Sequence, residues 1–576
     1  MKKRRIKRFL AISLASAMVL SLAACGNGGD KKETGKGDET SQEKSTSGNK
    51  DLTSITVYPA NATVSSGRLE GYKGDVFAEY GIAPEIWAYS EEKTNAILAS
   101  GDLPDVMVVP TDKLDTMIEG GQLLKLDDYL EQMPNVTERD STMTAINYVK
   151  KYRSAGTGNV YCLPTGVKGE VTKDADTGRN SIKLNWDVYE EIGAPEMKDI
   201  WDVIPVMKQM LEAHPTNEAG EKCYGTFLNS GSDATYWGNM QLFFKWFGYE
   251  PTELPYLLES DMVNGKYSSI LSKDSLYYQG LKWYNTVYRE GLMDPDSINT
   301  DRSTQKAKVE QGKLAMVPSG TTPGWSPAYL QYYLPDTKIY AEHWDQPYGD
   351  PAFVIGISAD CKNVDAALSF LNALANPDVL YQLRCGPEGE AWYMEDGVAH
   401  ITDEAAEMVA TGQTYILKNG EKLLNWGMTF VTGEVSDYMG PDGQPRTAGF
   451  DAWLEVMKIK NDNDTFKNWQ KTTGGYENWT ALLEDKGAYY LESDLDYISG
   501  FASNPDDTMQ FTIDSIRDTV VNASWNMVYA NSDEQFESIW DEMVKNCEEL
   551  GAKDVIDWRL SELEKAKVER DSLKAE

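Results

Sequence analysis

Histidine is almost missing from this 576-residue chain: there are three, His214, His343 and His400, far apart in sequence. A triad built on an imidazole base, or a histidine-rich metal centre, is therefore not expected. Cysteine is scarce too, at six. Cys162, Cys223, Cys361, Cys385 and Cys547 are scattered without any C-x-x-C pair, which argues against a disulfide framework or a zinc site. Positive charge is short as well: 55 Lys and Arg face 91 Asp and Glu, a formal balance of −36. Nucleic-acid binding rests on clustered basic side chains, so no nucleic acid is expected as a partner. Beyond the N-terminal region no apolar run approaches the length of a membrane helix. Phenylalanine is sparse at 14, against 16 Trp and 32 Tyr. That excess suits surfaces that stack on a ligand and hydrogen-bond at its rim.

What is present begins with an address label. Lys2, Lys3, Arg4, Arg5, Lys7 and Arg8 precede an apolar run from Phe9 to Ala24. Such a run is short for a permanent membrane helix and suits the core of a secretory signal. Leu22-Ala23-Ala24-Cys25 resembles the lipobox of bacterial lipoproteins. The resemblance implies cleavage after residue 24, lipidation of Cys25, and a body held to a membrane only through acyl chains. Residues 26–50 contain no large apolar side chain and are rich in Gly, Ser, Thr, Lys and Glu. They read as a flexible tether reaching roughly 25–30 Å.

From Asp51 the pattern is α/β. Ser54–Tyr58 and Glu85–Tyr89 alternate like strands, and Asp105–Val109 is an apolar run suited to a strand buried on both faces. Leu69–Tyr80 and Glu91–Leu98 can supply crossover helices. The β-α-β-α-β order predicts a parallel, doubly wound sheet with its ligand side at the carboxyl ends of the strands.

Several motifs carry a resemblance in a shared order. Gly101-Asp102-Leu103-Pro104-Asp105-Val106 is similar to the G-x-x-P-D-[VIL] pattern of bacterial extracellular solute-binding proteins that deliver sugars to ABC importers. Asp199-Ile200-Trp201-Asp202-Val203-Ile204-Pro205 resembles the T-W-[DE]-x-[IL]-P helix start of maltodextrin-binding proteins. There Asp199 is expected to cap, Asp202 to sit at the third helical position, and Pro205 to kink the helix. Gly312–Met316 resembles the family's G-[KE]-x-A-M strand, with Ser319–Trp325 as the loop after it. Phe353–Ser358 and Ala366–Leu371 look like the return to the first lobe, with Ala367, Phe370, Leu371 and Leu374 on one helix face. Gly386–Trp392 is similar to the G-x-E-G-x-x-Y element of a longer subgroup that includes alginate-oligosaccharide-binding and LipO-type lipoproteins, with Trp392 in place of Tyr. Asp533–Leu550 and Asp557–Leu573 read as amphipathic helices.

The resemblance implies an α/β, two-lobe, periplasmic-binding-protein-like (type II) fold with a hinge. Lobe 1 is expected over 51–165 plus 355–385, and lobe 2 over 166–354 plus 386–576. That subgroup often carries an EF-hand-type calcium loop after the kinked helix. His214–Lys222 has too few carboxylates and lacks the spacing, so no metal and no cofactor is expected. Asp174–Gly178 and Asn461–Asp464 read as solvated turns.

A sugar offers apolar C–H faces and a rim of hydroxyls, so it is met by aromatic rings with Asp, Glu, Asn, Gln or Arg beside them. Loop aromatics are the best candidates. These are Trp325, Trp392 beside Glu388, Tyr236-Trp237, and Trp344, with Trp426, Tyr348 and Asp350 behind them. Trp246, Trp283, Trp469, Trp540 and Trp558 read as core, and Trp186 as packing between lobes. The expectation is a monomeric substrate-binding lipoprotein of an ABC importer. It would capture an oligosaccharide, leaning to neutral plant-type chains, and pass it to permease subunits on the extracellular face of a bacterial cytoplasmic membrane. Two rivals stand beside it: a secreted glycoside hydrolase, which needs a placed carboxylate pair, and a peptide-binding protein of the same fold.

Overall fold

The alternating and apolar segments at the start of the body become neighbouring strands in a computed structural model. It describes residues 52–59, 65–168, 181–228, 238–297, 302–318, 326, 328–340, 347–423, 430–431, 438–441, 443, 446 and 449–574. The first elements are β1 (Thr53–Tyr58), α1 (Gly71–Glu79), β2 (Ile82–Ile86), α2 (Glu91–Ser100), β3 (Val106–Pro110), α3 (Thr111–Glu119), α4 (Asp140–Tyr152) and β4 (Leu163–Pro164). Then come β5 (Ile182–Asn185), α5 (Val203–Ala213), α6 (Leu276–Arg289), β6 (Met316–Pro318) and β7 (Tyr329–Tyr332). The chain continues through β8 (Phe353–Ile357), α7 (Val364–Leu374), β9 (Trp392–Glu395) and β10 (Val398–Ile401). It ends in three long helices: α8 (Asp507–Val528), α9 (Asp533–Leu550) and α10 (Ala552–Lys574).

Among the described residues, the first sheet has the order 67–68, β2, β1, β3, β8, β4. β2, β1 and β3 are parallel, with Val57 opposite both Ile86 and Val106. β8 runs antiparallel to β3, pairing Phe353 with Pro110 and Ile357 with Val106. β3 is buried on both faces, as its unbroken apolar run requires. α7 closes one face with Ala367, Phe370, Leu371 and Leu374, all fully buried, and Phe370 meets Phe77 of α1 at 4.9 Å. Each such large apolar side chain contributes on the order of 1.5–3 kcal/mol.

The second core gathers around β5, which lies between antiparallel β6 and β7. α6, capped by Ser275, buries Tyr277, Leu281 and Trp283 there, and α8 and α9 cover it. Trp246, Trp469 and Trp540 are core, as expected, and Trp558 is partly buried. Trp186 differs: it is fully buried inside this second lobe against Tyr189, not between lobes.

Two expectations need correction. Trp392, Ala399, Ile401, Phe430, Trp453 and Val456 share the core of β1, β3 and α7, so these residues pack with the first lobe, where lobe 2 was expected from 386 onward. Hydrophobic patterning shows that a face is buried, not which lobe buries it. At the second point, α5 starts at Val203, so Pro205 lies in its first turn, where the missing N–H costs no hydrogen bond. Asp199 accepts from Trp201 N and Asp202 N in the turn before the helix, and Asp202 accepts from Lys198 N.

The outward and returning crossings between lobes run side by side. Thr165 Oγ1 donates to Phe353 O at 2.7 Å, and Asp350 N donates to Thr165 O at 2.6 Å. Gly349 has φ +81°, and a Cβ there would sit 2.8 Å from Pro164 Cβ. Only glycine allows the two crossings to approach this closely.

Candidate functional site

β1, β2 and β3 end on the same edge of the sheet, and both crossings leave from that edge. The chain steps from β1 to β2 on one side and then to β3 on the other, which makes the carboxyl edge a topological switch point where open α/β sheets bind ligands. Tyr58 is the last residue of β1, and Trp87, Tyr89 and Ser90 follow β2 as Thr111 and Asp112 follow β3.

Trp87 and Tyr89 are half-buried and follow the last residue of β2. The backbone holds them there: Trp87 N donates to Val57 O at 2.9 Å and Ala88 N to Ser66 Oγ at 2.8 Å. Beneath them Tyr58 is buried, its hydroxyl 2.9 Å from both Ser90 O and Thr94 Oγ1, and its ring lies 5.9 Å from that of Tyr89. Ser90 caps α2 by accepting from Lys93 N. Lys93 Nζ stands 5.1 Å from the Trp87 ring centroid and 5.6 Å from that of Tyr58, a cation held against aromatic faces. Asp112, in the first turn of α3, is exposed at the same edge.

The alternation at 85–89 puts Trp87 and Tyr89 inside a strand, whereas both lie beyond its end. The signal was there: β2 stops at Ile86, and aromatics just past a parallel strand's carboxyl end stand on the ligand side.

Trp392 is a correction. It is 2 % exposed, donates from Nε1 to Gly386 O at 2.8 Å, and packs on Tyr381 and Tyr438. A ring enclosed on these terms has no face left for ligand. Glu388 is exposed but accepts from Met394 N at 3.0 Å, which ties it into the turn before β9. Tyr348 lies on the returning crossing with its ring against Tyr148, Tyr497 and Phe501. Asp350 accepts from Ala352 N at 2.7 Å beside the crossing. Trp325, Tyr236, Trp237, Trp344, Trp426 and Cys25 lie outside the described residues, as does Asp174–Gly178. The acidic stretch at 461–464 is a helix cap, with Asn463 accepting from Phe466 N at 2.8 Å.

Among the described residues, burial raises two carboxyls, Glu259 and Asp336, and neither is on the sheet edge. Glu259 is buried and accepts from Ser268, Leu276 and Tyr277. Among the described residues no group of three or more His, Cys, Asp or Glu is arranged to hold a metal, and no helix is long and apolar enough to cross a membrane.

Two α/β lobes, joined by adjacent crossings beside an aromatic strand edge, define a two-lobe binding protein. The profile of the bacterial extracellular solute-binding protein family matches residues 82–383, just over half the chain, and the protein belongs to that family. Its members carry solutes and catalyse nothing, which sets the hydrolase reading aside. No functionally curated protein matches at the sequence level. Solved structures share the fold at low identity. A Bifidobacterium longum infantis protein described as an HMO-binding, ABC-transporter-associated solute-binding protein aligns with TM-score 0.55 and 17% identity, covering 90% of this chain and 98% of its own. The S. pneumoniae ABC-transporter substrate-binding protein FusA, in complex with kestose, aligns with TM-score 0.58 and 16% identity over 91% and 100%. The N-glycan transport protein NgtS of Streptococcus pneumoniae gives 0.52 and 14% over 90% and 99%.

Proposed function

We propose that this protein captures an oligosaccharide between its lobes and delivers it to the permease of an ABC importer. The observation that carries the reading is the Trp87–Tyr89 pair at the carboxyl edge of β2, where two half-buried rings can lie against the apolar faces of a sugar. Exposed Asp112 supplies a hydroxyl acceptor on the same edge. The structural neighbours described as HMO-binding, in complex with kestose and for N-glycan transport support the ligand class. Trp325, Tyr236, Trp237, Trp344 and Trp426 join this surface in the proposal, as loop aromatics. Cys25 carries the lipid, 26–50 is the tether, and the body works as a monomer outside a bacterial cytoplasmic membrane.

Capture is a population shift: ligand stabilises the conformation in which both lobes touch it. Thermal shift against a panel of neutral oligosaccharides, with a peptide panel in parallel, tests the proposal. A stabilising oligosaccharide, confirmed by calorimetry at one site, is the expected outcome. Stabilisation by peptides alone overturns it.

A further inference from the structure

Five aromatic rings from both lobes meet beside the crossings. Tyr148 and Tyr152 stand one turn apart on α4 of the first lobe, and their rings are 5.1 Å apart. Tyr348 comes from the returning crossing and meets Tyr148 at 5.0 Å. Tyr497 and Phe501 lie just ahead of α8. Their segment is tied to the second lobe through Ser499, which donates to Glu253 at 2.5 Å, and through Tyr340, which donates to Asp496. Phe501 meets Tyr148, Tyr152 and Tyr348 edge-on at 5.1, 5.0 and 5.1 Å. The Tyr148 hydroxyl donates to Gly500 O across the lobes.

α10 braces this cluster from behind. Its 23 residues make a rod of about 34 Å. Ala552 and Val555 are buried in the second core, and Arg559 forms a buried pair with Glu253 at 2.6 Å, its guanidinium 4.1 Å from the Tyr256 ring centroid. Further along, Leu563 and Ala566 are buried among the rings' neighbours, and Arg570 donates to Asp494 O and Asp496 O at 2.8 and 2.7 Å. Finally Glu569 reaches the first lobe, accepting from Lys151 Nζ at 2.9 Å and Tyr152 Oη at 2.8 Å.

A joint must keep its parts close while the bodies it links turn. Tyr348 belongs to a crossing, and a crossing cannot separate from itself. At the centre of the cluster Tyr148 and Phe501 are buried, at 5 % and 8 % exposure, and Tyr152, Tyr348 and Tyr497 pack around them partly buried. Parting it in every cycle would return that apolar surface to water, whereas edge-to-face rings can roll on one another without being exposed. We infer that the rings of Tyr148, Tyr152, Tyr348, Tyr497 and Phe501, braced by α10 through Glu569, form the pivot on which the two lobes turn. The inference deepens the carrier reading above and rests on it.

The test uses small-angle scattering of the ligand-free protein, so it does not depend on finding the ligand. In a Cys25→Ser, Cys361→Ser background, Lys151→Cys and Glu569→Cys are bridged with a short bis-maleimide. A pivot keeps this contact throughout, so the bridged protein and the unsubstituted parent should give superimposable profiles. A bridged profile that departs from the parent's means the contact opens in solution and overturns the inference. Phe501→Ala, with unchanged far-UV circular dichroism, should raise the radius of gyration by on the order of 1 Å, and Phe501→Leu should restore most of it. If Phe501→Ala does not fold, half-exposed Tyr348→Ala takes its place with the same expectation. A loosened variant that scatters like the parent also overturns the inference. Absence of oligosaccharide binding by the parent would sink the carrier reading while leaving these scattering results intact.

Discussion

Lys313 Nζ lies 2.9 Å from Glu221 Oε2, and this pair fastens the turn that follows α5 to the segment leading into β6. Asn217 completes the arrangement, accepting from Glu221 N at 2.9 Å and donating to Gln311 O at 3.0 Å. The hydrogen bonds from Lys313 and Asn217 hold the Glu221 carboxyl below its usual range. The turn's oxygens are thus engaged by an internal cation and an amide.

Calcium and chelator should therefore leave the melting temperature unchanged, while Lys313→Ala should lower it by about 1–2 °C. Differential scanning calorimetry reads both. Stoichiometric terbium luminescence that is lost on mutating Glu218 would refute the metal-free turn.

Trp87→Ala should weaken oligosaccharide binding about tenfold, or ~1.4 kcal/mol, with Trp87→Phe retaining most of the affinity. Because Trp87 is half-exposed, thermal stability should change little. Titration calorimetry on both variants decides; unchanged affinity in Trp87→Ala removes the residue from the site.

Gly71 opens α1 at φ +66°, and a Cβ there would fall 2.6 Å from Glu421 Oε2, the oxygen that accepts from Tyr72 N at 3.0 Å. Gly71→Ala meets both the left-handed penalty and the carboxylate. It should cost about 1–2 kcal/mol by urea unfolding. An unchanged midpoint would show that neither the left-handed backbone at this position nor the Glu421 carboxylate opposes the methyl group.

Burial pushes the Glu259 carboxyl up to about 7, against the opposing hydrogen bonds from Leu276 N, Tyr277 N and Ser268. Its folded value lies above its unfolded one, so its contribution is fully present below about pH 4.5 and is lost as pH rises towards about 7. The whole loss amounts to roughly 3 kcal/mol. Glu259→Gln should flatten this part of the stability profile, followed by chemical unfolding between pH 4 and 8. A slope identical to the parent's would assign it to other groups.

Cys25→Ser should abolish incorporation of labelled palmitate and release the protein from cells into the medium. Retention of the variant in the membrane fraction would mean that something other than lipid at this residue holds it.

The first sheet was legible because its signals are local. Residues 54–58, 91–98 and 105–109 carry strand and helix periodicity, and the elements fall at Thr53–Tyr58, Glu91–Ser100 and Val106–Pro110. The strand read at 85–89 ends three residues early, at Ile86, and that slip hid Trp87 and Tyr89. Trp392 misled for a different reason. Its Gly-rich neighbourhood reads as a loop, but the ring beside it turns inward onto Tyr381, a partner that sequence spacing does not reveal. Lobe membership after residue 385 was out of reach for the same cause: amphipathic helices declare a buried face without naming what covers it.

β8 enters the first sheet between β3 and β4, yet it is encoded some two hundred residues after them. Until it is in place, β3 has an unpaired row of N–H and C=O groups along one side, on an apolar strand well suited to pairing with a stranger. A chain emerging from a translocon would carry this open edge while most of the second lobe is still being threaded. Late closure of this kind makes folding slow and places exported copies at risk of joining each other. Helpers that shield nascent chains outside the membrane would find their natural target in residues 106–110.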